Sequence, residues 1–229
     1  IPLMLGERVV GVMNTARWSK GGFSPSELRL LDLLADQAAL TIMNAQLHEE
    51  VANQALSDAL TGLPNRRALD IRLEDEVKRS ERYGHQFAVL MMDLDGFKAI
   101  NDTYGHSVGD LILRQYAQFM SDQCRSSDFL ARFGGDELFM ILPETQLGAA
   151  ELVAQHINQR MSQFIFTMPD GTNLTLGVSG GIAMYPMHAS QASELLRVAD
   201  EMLYRAKRQV RGNFLIADSN LLEAQQYKS

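Results

Sequence analysis

At 229 residues the chain is too long for one small module and too short for two full domains of roughly 100–200 residues each, which points to one whole domain and part of another. With 46% apolar and 21% charged residues and only six prolines, it can build a real core, and wholesale disorder, collagen-like repeats and low complexity are excluded. A net charge of −7 argues against a protein that coats DNA or an anionic membrane, so any phosphate it binds must be met by local cations.

A single cysteine, Cys124, allows no internal disulfide and no cysteine-built zinc cluster, and indicates a reducing, cytoplasmic setting. No apolar run approaches the roughly 18–20 residues of a membrane span; residues 87–92 and 138–142 read as buried strands instead. The opening Ile-Pro-Leu-Met-Leu-Gly has neither an initiating Met nor a basic stretch, which reads as a segment of a longer chain rather than a signal peptide.

In chain order, two short strands over residues 2–5 and 8–15 come first, around a Gly6-Glu7 turn. Ser24-Pro25-Ser26-Glu27 has capping-box spacing with Pro at the first helical position and starts a long helix. Along it Leu28, Leu31, Ala35, Ala38, Ile42, Ala45, Glu49, Ala52, Leu56 and Ala59 alternate in steps of three and four, nine of ten apolar. That pattern predicts a coiled-coil seam joining two copies through residues 24–57, although a helix covering its own domain's core shares the same periodicity.

Thr61-Gly62-Leu63-Pro64-Asn65 then stops the helix and turns the chain into the last domain. There the pattern predicts a helix over 68–84, a strand over 87–93, helices to about 123, and strands over 128–132 and 138–142 about a Gly134-Gly135 turn. A helix over 146–163, one strand over 174–185, a helix over 191–209 and a last strand over 213–217 follow. The fold class is α/β (α+β): a mixed sheet of about five strands covered by helices, behind an N-terminal remnant of two strands and a long helix.

Two acidic clusters interrupt this pattern where apolar strands end, Asp93-Leu94-Asp95 and Gly134-Gly135-Asp136-Glu137. Paired glycines permit a tight hairpin with Asp136 and Glu137 near its tip. Carboxylates gathered at adjacent strand ends repel one another unless a hard divalent cation neutralises them, and oxygen donors of this kind suit Mg²⁺ or Mn²⁺. An Asp-rich turn with no metal is the plain alternative. No Walker A loop is present, so phosphate would be met by backbone N–H groups where Gly96, Phe97 and Lys98 open a helix, with Lys207 and Arg211 adding charge. Asn101 and Asp110 are candidates for reading a base, since a carboxylate matches the N1–H and 2-amino donors of guanine.

These residues resemble a family. Asp58-Ala-Leu-Thr-Gly-Leu-Pro-Asn-Arg-Arg67, the run from Asp93 through Gly105-His106-Ser-Val-Gly-Asp110, Arg132-Phe-Gly-Gly-Asp-Glu-Leu138 and Tyr204-Arg-Ala-Lys207 are similar to the GGDEF domain of diguanylate cyclases. Residues 1–50 resemble the C-terminal end of a GAF sensor domain. The resemblance divides the chain into a sensor remnant (1–23), a signalling helix (24–57) and a catalytic domain (58–229). It implies a palm-like fold that condenses two GTP into cyclic di-GMP and two pyrophosphates, one GTP per protomer.

By the resemblance, Asp93, the Leu94 carbonyl, Asp136 and Glu137 would hold Mg²⁺ or Mn²⁺, and either Asp136 or Glu137 would help deprotonate the 3′-hydroxyl. Asn101 and Asp110 would contact guanine, and Lys207, Arg211 and the amides of Phe97 and Lys98 the phosphates. Arg125-Ser-Ser-Asp128 would form an inhibitory site for the product.

Some features depart from the pattern or compete with it. Leu138 stands where the family has Phe, and Val210-Arg211-Gly212-Asn213 replaces Gly-Arg-Asn, which leaves the placement of Arg211 open. His106 reads as a packing residue. Gly177-Val-Ser179-Gly-Gly181 fits the hydrolase elbow Gly-x-Ser-x-Gly, yet strand rather than helix is predicted after it, with only His188 as a base. A domain that binds GTP or cyclic di-GMP without turning it over is the other rival, and the intact Asp93, Asp136 and Glu137 weigh against it.

Overall fold

The computed structural model describes residues 1–6, 8–16, 21–54 and 56–218, with residues 44–54 as helix backbone only. The chain forms two compact units that divide between Ala55 and Leu56.

In the first unit, β1 (Pro2–Leu5) and β2 (Arg8–Val12) pair antiparallel, and α1 (Pro25–Gln54) follows. The capping box forms as expected: the Ser24 amide donates to Glu27 Oε2 at 2.7 Å and the Glu27 amide to Ser24 Oγ at 3.3 Å. Both early donors are thereby satisfied. Ala35 and Ala39 bury against Leu3, with Ala38 and Ile42 half-buried beside Val10 and Met13. Three seam positions, Ala35, Ala38 and Ile42, therefore cover the hairpin, while the seam residue Leu28 and the off-seam Leu30, Leu33, Leu34 and Leu40 stay exposed. Ala45, Glu49 and Ala52 lie outside the residues whose side chains are described. The helix ends at Gln54, so Leu56 and Ala59 are not on it. Their backbone belongs to a turn in which the Asp58 amide donates to the Leu63 carbonyl and Ser57 bridges Pro64.

The second unit carries α2 (Arg66–Tyr83), β3 (Phe87–Leu94), α3 (Phe97–Tyr104), α4 (His106–Ser121), β4 (Phe129–Gly134), β5 (Glu137–Leu142) and α5 (Leu147–Met161). Short β6 (Phe166–Thr167) and β7 (Asn173–Leu174), then β8 (Val178–Tyr185), α6 (Ala192–Gln209) and β9 (Phe214–Ile216), complete it. The main sheet has the order β4-β5-β3-β8-β9, antiparallel except for the β8–β9 pair. The single strand expected over 174–185 is two elements: Asn173 and Leu174 pair with Thr167 and Phe166 in a separate ribbon, and the sheet strand begins at Val178.

Buried on both faces, β3 is apolar at every position through Met92. Its pleat sends Ala88, Leu90, Met92 and Leu94 into a layer with α3, α4 and α5, and Phe87, Val89 and Met91 into a layer with α2 and α6. Leu138 faces the first layer, 2% exposed, so an apolar side chain meets the requirement there.

The Gly177-to-Gly181 run has a packing explanation. A Cβ on Gly180 would stand 2.2 Å from the Phe214 ring, and one on Gly181 2.0 Å from the Ala199 carbonyl oxygen and 2.4 Å from the Leu203 nitrogen. The bare Gly181 lets α6 lie directly on β8, and the bare Gly180 makes room for the Phe214 ring of β9. Gly181→Ala is expected to push α6 off the sheet and cost about 3 kcal/mol, lowering the thermal midpoint by about 10 °C. Gly148→Ala, at an open helical position with nothing within 4 Å, is expected to raise it by about 2 °C. Circular-dichroism melts check both, and an unchanged midpoint for Gly181→Ala would contradict the close approach.

Candidate active site

Asp93 is the next-to-last residue of β3, and the two flanking strands set what surrounds it. It pairs in register with Glu137 at the start of β5 and with Ser179 on β8. The pleat that sends Val89 and Met91 towards α6 carries Asp93 the same way, and Lys207 in the last turn of α6 meets it, Nζ to Oδ2 at 2.7 Å. Asp136 lies in the hairpin turn between β4 and β5, where Gly135 alone takes positive φ, at 54°.

The three carboxylates titrate high. Burial is the main cause for each: it raises Asp93 despite the opposing Lys207 ammonium, and the charge of Asp93 adds to it for both Asp136 and Glu137. The Tyr116 hydroxyl, wholly buried and without a hydrogen-bond partner among the described residues, is held far above its usual range by burial and by the charges of Asp93, Asp136 and Asp95. Among the described residues no three acidic, His or Cys side chains converge into a ready-made cation cage. Instead the Lys207 ammonium faces Asp93. The donor set fits a hard cation nonetheless: hard oxygens whose mutual repulsion a divalent ion would relieve.

Asp95, which sequence reasoning quoted without giving it a role, organises the neighbouring ground. Its carboxylate accepts from Ser179 Oγ at 2.9 and 3.0 Å and from Arg211 Nε at 3.1 Å, and its amide donates to the Gly177 carbonyl. The Gly212 amide donates to the same Ser179 hydroxyl at 3.0 Å. Ser179 is thus a buried strut on a continuing strand, and His188 Nδ1 accepts from the Met184 amide, its basicity lowered by burial. No hydrolase elbow remains. The sequence left Arg211 open; it lies 66% exposed beside Asp95, so it does not share a partner with Lys207.

On the other side of Asp93, Gly96 at φ 85° is the N-cap of α3 and offers no side-chain cap. The amides of Phe97 and Lys98 are first-turn donors of the kind that meet anions. Asn101 follows on α3 and Asp110 on α4. His106 is exposed at the start of α4, not packed as the sequence suggested.

Arg132, another residue without an assigned role, fixes the acidic turn from outside. Its Nε and Nη2 donate to the Gly135 carbonyl at 2.9 and 2.7 Å, and its Nη1 to both oxygens of Asp58 at 2.9 and 3.1 Å. Burial opposes ionisation of Asp58, but bonds from Thr61 and Arg132 outweigh it and hold the carboxyl below its usual range. Both residues stand in the motifs by which the chain was read, so the signal was present and its partner was not.

Arg125 and Asp128 lie apart from this centre, just before β4. The Arg125 amide donates to Asp128 Oδ2 at 2.9 Å, and among the described residues no ion pair joins the two side chains. They border a cavity of about 320 Å³ whose far wall is α5, including Leu152 and His156. Cys124, pushed up to about 12 by burial and Asp128, is not a reactive thiol.

Comparison with known proteins gives the family and the fold. The family described as "Diguanylate cyclase, GGDEF domain" matches residues 55–213, and the GAF domain family matches residues 1–43. Diguanylate cyclase TpbB of Pseudomonas aeruginosa is 41% identical over 193 residues, covering 83% of this chain and 43% of TpbB, so the chain spans less than half of that relative. The solved GGDEF domain of the same protein superposes with a TM-score of 0.70 at 38% identity, covering 74% of this chain and 99% of that one. The coiled coil and GGDEF domain of DgcB from Caulobacter crescentus, solved with c-di-GMP, gives a TM-score of 0.67 at 29% identity, covering 82% of this chain and 99% of that one.

The raised carboxylates have a stability consequence. Their ionised forms are disfavoured on folding, so the cluster lowers stability as pH rises from the ordinary carboxylate range through their raised values. Asp136→Asn is therefore expected to raise the thermal midpoint at pH 7 by a few degrees in metal-free buffer, and to blunt the further rise that Mg²⁺ gives the parent. Scanning calorimetry with chelator and with Mg²⁺ reads both; a lower midpoint in chelator would contradict the repulsion.

Proposed function

The chain belongs to the GGDEF family of diguanylate cyclases, and on that footing we propose that it condenses two GTP into cyclic di-GMP with release of two pyrophosphates. The observation that carries this reading is the convergence of Asp93, Glu137 and Lys207 at one end of the sheet, with Asp136 in the adjoining turn.

Asp93, Asp136, Glu137 and the Leu94 carbonyl would hold Mg²⁺ or Mn²⁺. When bound, such an ion acidifies the attacking 3′-hydroxyl and offsets negative charge on the α-phosphate and the departing pyrophosphate. The protein's own groups do the remainder. The amides of Phe97 and Lys98, with Lys207 and Arg211, receive the phosphates, and Lys207 exchanges its carboxylate partner for phosphate oxygens. Asn101 and Asp110 read the guanine. Asp136 or Glu137, each made more basic by its surroundings, takes the 3′-hydroxyl proton as O3′ attacks the partner's α-phosphorus in line and the bond to pyrophosphate breaks.

Since each site binds one GTP, two protomers must face each other. We place their association on the helix predicted over 24–57. Along its described part the hairpin already takes Ala35, Ala38, Ala39 and Ile42, which leaves Leu30, Leu33, Leu34 and Leu40 for a partner. Joining two loaded domains raises their effective concentration, and a change in the helix pair would gate the reaction. The cavity at Arg125 and Asp128 is the proposed seat of product inhibition, its guanidinium suited to phosphate and its carboxylate to guanine. Among the described residues no helix is long and apolar enough to cross a membrane.

Incubation with GTP and Mg²⁺ followed by mass analysis is expected to give cyclic di-GMP and two pyrophosphates, with at least about a hundredfold loss in Asp136→Ala. No cyclic dinucleotide from concentrated, dimeric protein would overturn the reading in favour of binding without turnover. Arg125→Ala is expected to weaken inhibition by added cyclic di-GMP about tenfold or more at unchanged initial rate; an unaltered inhibition curve would remove the product site.

A further inference from the structure

Gly109 is buried near the start of α4 with no need of a glycine's backbone freedom, being absent from the positive-φ glycines. Inside a helix glycine is a poorer choice than alanine, so the position calls for a reason other than propensity. A Cβ built there would stand 1.9 Å from Asn101 Oδ1, 2.9 Å from Asn101 Cγ and 3.3 Å from Phe97 Cζ. The first two distances are below any contact a real Cβ makes. The bare Cα of residue 109 is therefore the surface on which the Asn101 amide rests.

Glycines in this domain are excluded from bearing a Cβ in two ways. At Gly181 the obstructing atoms include the backbone of α6, so the missing side chain serves the fold. At Gly109 they are the end of one polar side chain and the edge of one ring. Backbone would not have to move for an alanine at 109; the Asn101 amide would. Residue 110, the next along α4, is the second candidate base reader.

We propose that Gly109 is a positioning residue for guanine recognition: its missing Cβ seats the Asn101 amide so that this group and the Asp110 carboxylate meet the same base. The assignment rests on the reading of Asn101 and Asp110 as guanine contacts. It predicts that the helix-favouring substitution at 109 harms nucleotide binding through Asn101 and not through the fold.

The test is a double-mutant cycle on the full chain with Gly109→Ala, Asn101→Ala and the pair. Calorimetry gives Kd for guanosine 5′-[α,β-methylene]triphosphate with Mg²⁺, kinetics give KM and kcat for GTP, and melts give stability. Gly109→Ala is expected to weaken binding about tenfold, the size of one lost hydrogen bond, as Asn101→Ala does, with no fall in thermal midpoint. In the Asn101→Ala background the second substitution is expected to change Kd by less than about twofold, because the group it displaces is gone. If Asn101→Ala weakens binding but Gly109→Ala does not, the seat is unnecessary and the proposal falls alone. Equal losses from Gly109→Ala in both backgrounds, with a lowered midpoint, would make the glycine structural and also overturn it. If Asn101→Ala leaves Kd unchanged, the guanine reading fails first and takes the proposal with it.

Discussion

A carboxylate at the end of a strand buried on both faces is the constraint to which the GGDEF domain is built. The apolar run of β3 makes it the middle of the sheet, and Asp93 is carried by the same backbone to a place where an unpaired charge is expensive. A charge so placed needs a counter-charge from another element, and α6 supplies it through Lys207. That delivery depends on the depth at which α6 lies against β8, which the bare Gly181 sets. Packing and electrostatics are one requirement here: a helix held off the sheet by a single methyl group would carry its ammonium away from the acid.

The same reasoning separates a stable site from a reactive one. Lys207 compensates Asp93 only in part, since its carboxyl still titrates high, and Asp136 and Glu137 add repulsion to burial. A cluster fully neutralised by the protein would have little use for a cation or a polyphosphate. Around it, by contrast, the supports are satisfied: Asp95 is shared by Ser179 and Arg211, and Asp58 by Thr61 and Arg132. The groups that would meet substrate are the ones left in mutual repulsion.

Much of this was legible in the sequence. The two-sided burial of β3 follows from its unbroken apolar run, the capping box of α1 from Ser24 and Glu27, and the five-strand mixed sheet from the alternation of strand and helix patterns. Three features were hidden because they depend on partners distant in the chain. Ala35, Ala38 and Ile42 have the periodicity of a seam between two copies, but a hairpin thirty residues earlier offers the nearer apolar surface. Residues 174–185 look like one strand until Phe166 and Thr167 claim the first of them. Asp95 is indistinguishable from other acidic loop residues until Ser179 and Arg211 arrive from 84 and 116 positions away. Glycine, too, is ambiguous in one dimension, for only the atoms opposite a missing Cβ show whether it serves a turn, a helix or a side chain.

One contact bears on how such a domain could be driven. Arg132 clasps Asp58, two residues after the domain begins at Leu56, and with the same guanidinium holds the Gly135 carbonyl in the turn that bears Asp136. The Arg132 amide also donates to the Pro64 carbonyl, so the incoming loop is sewn to β4 at both its ends. Entry point and acidic turn are mechanically a single part. A displacement of Asp58 would reach the acidic turn through a single guanidinium, as a crank acts on its shaft.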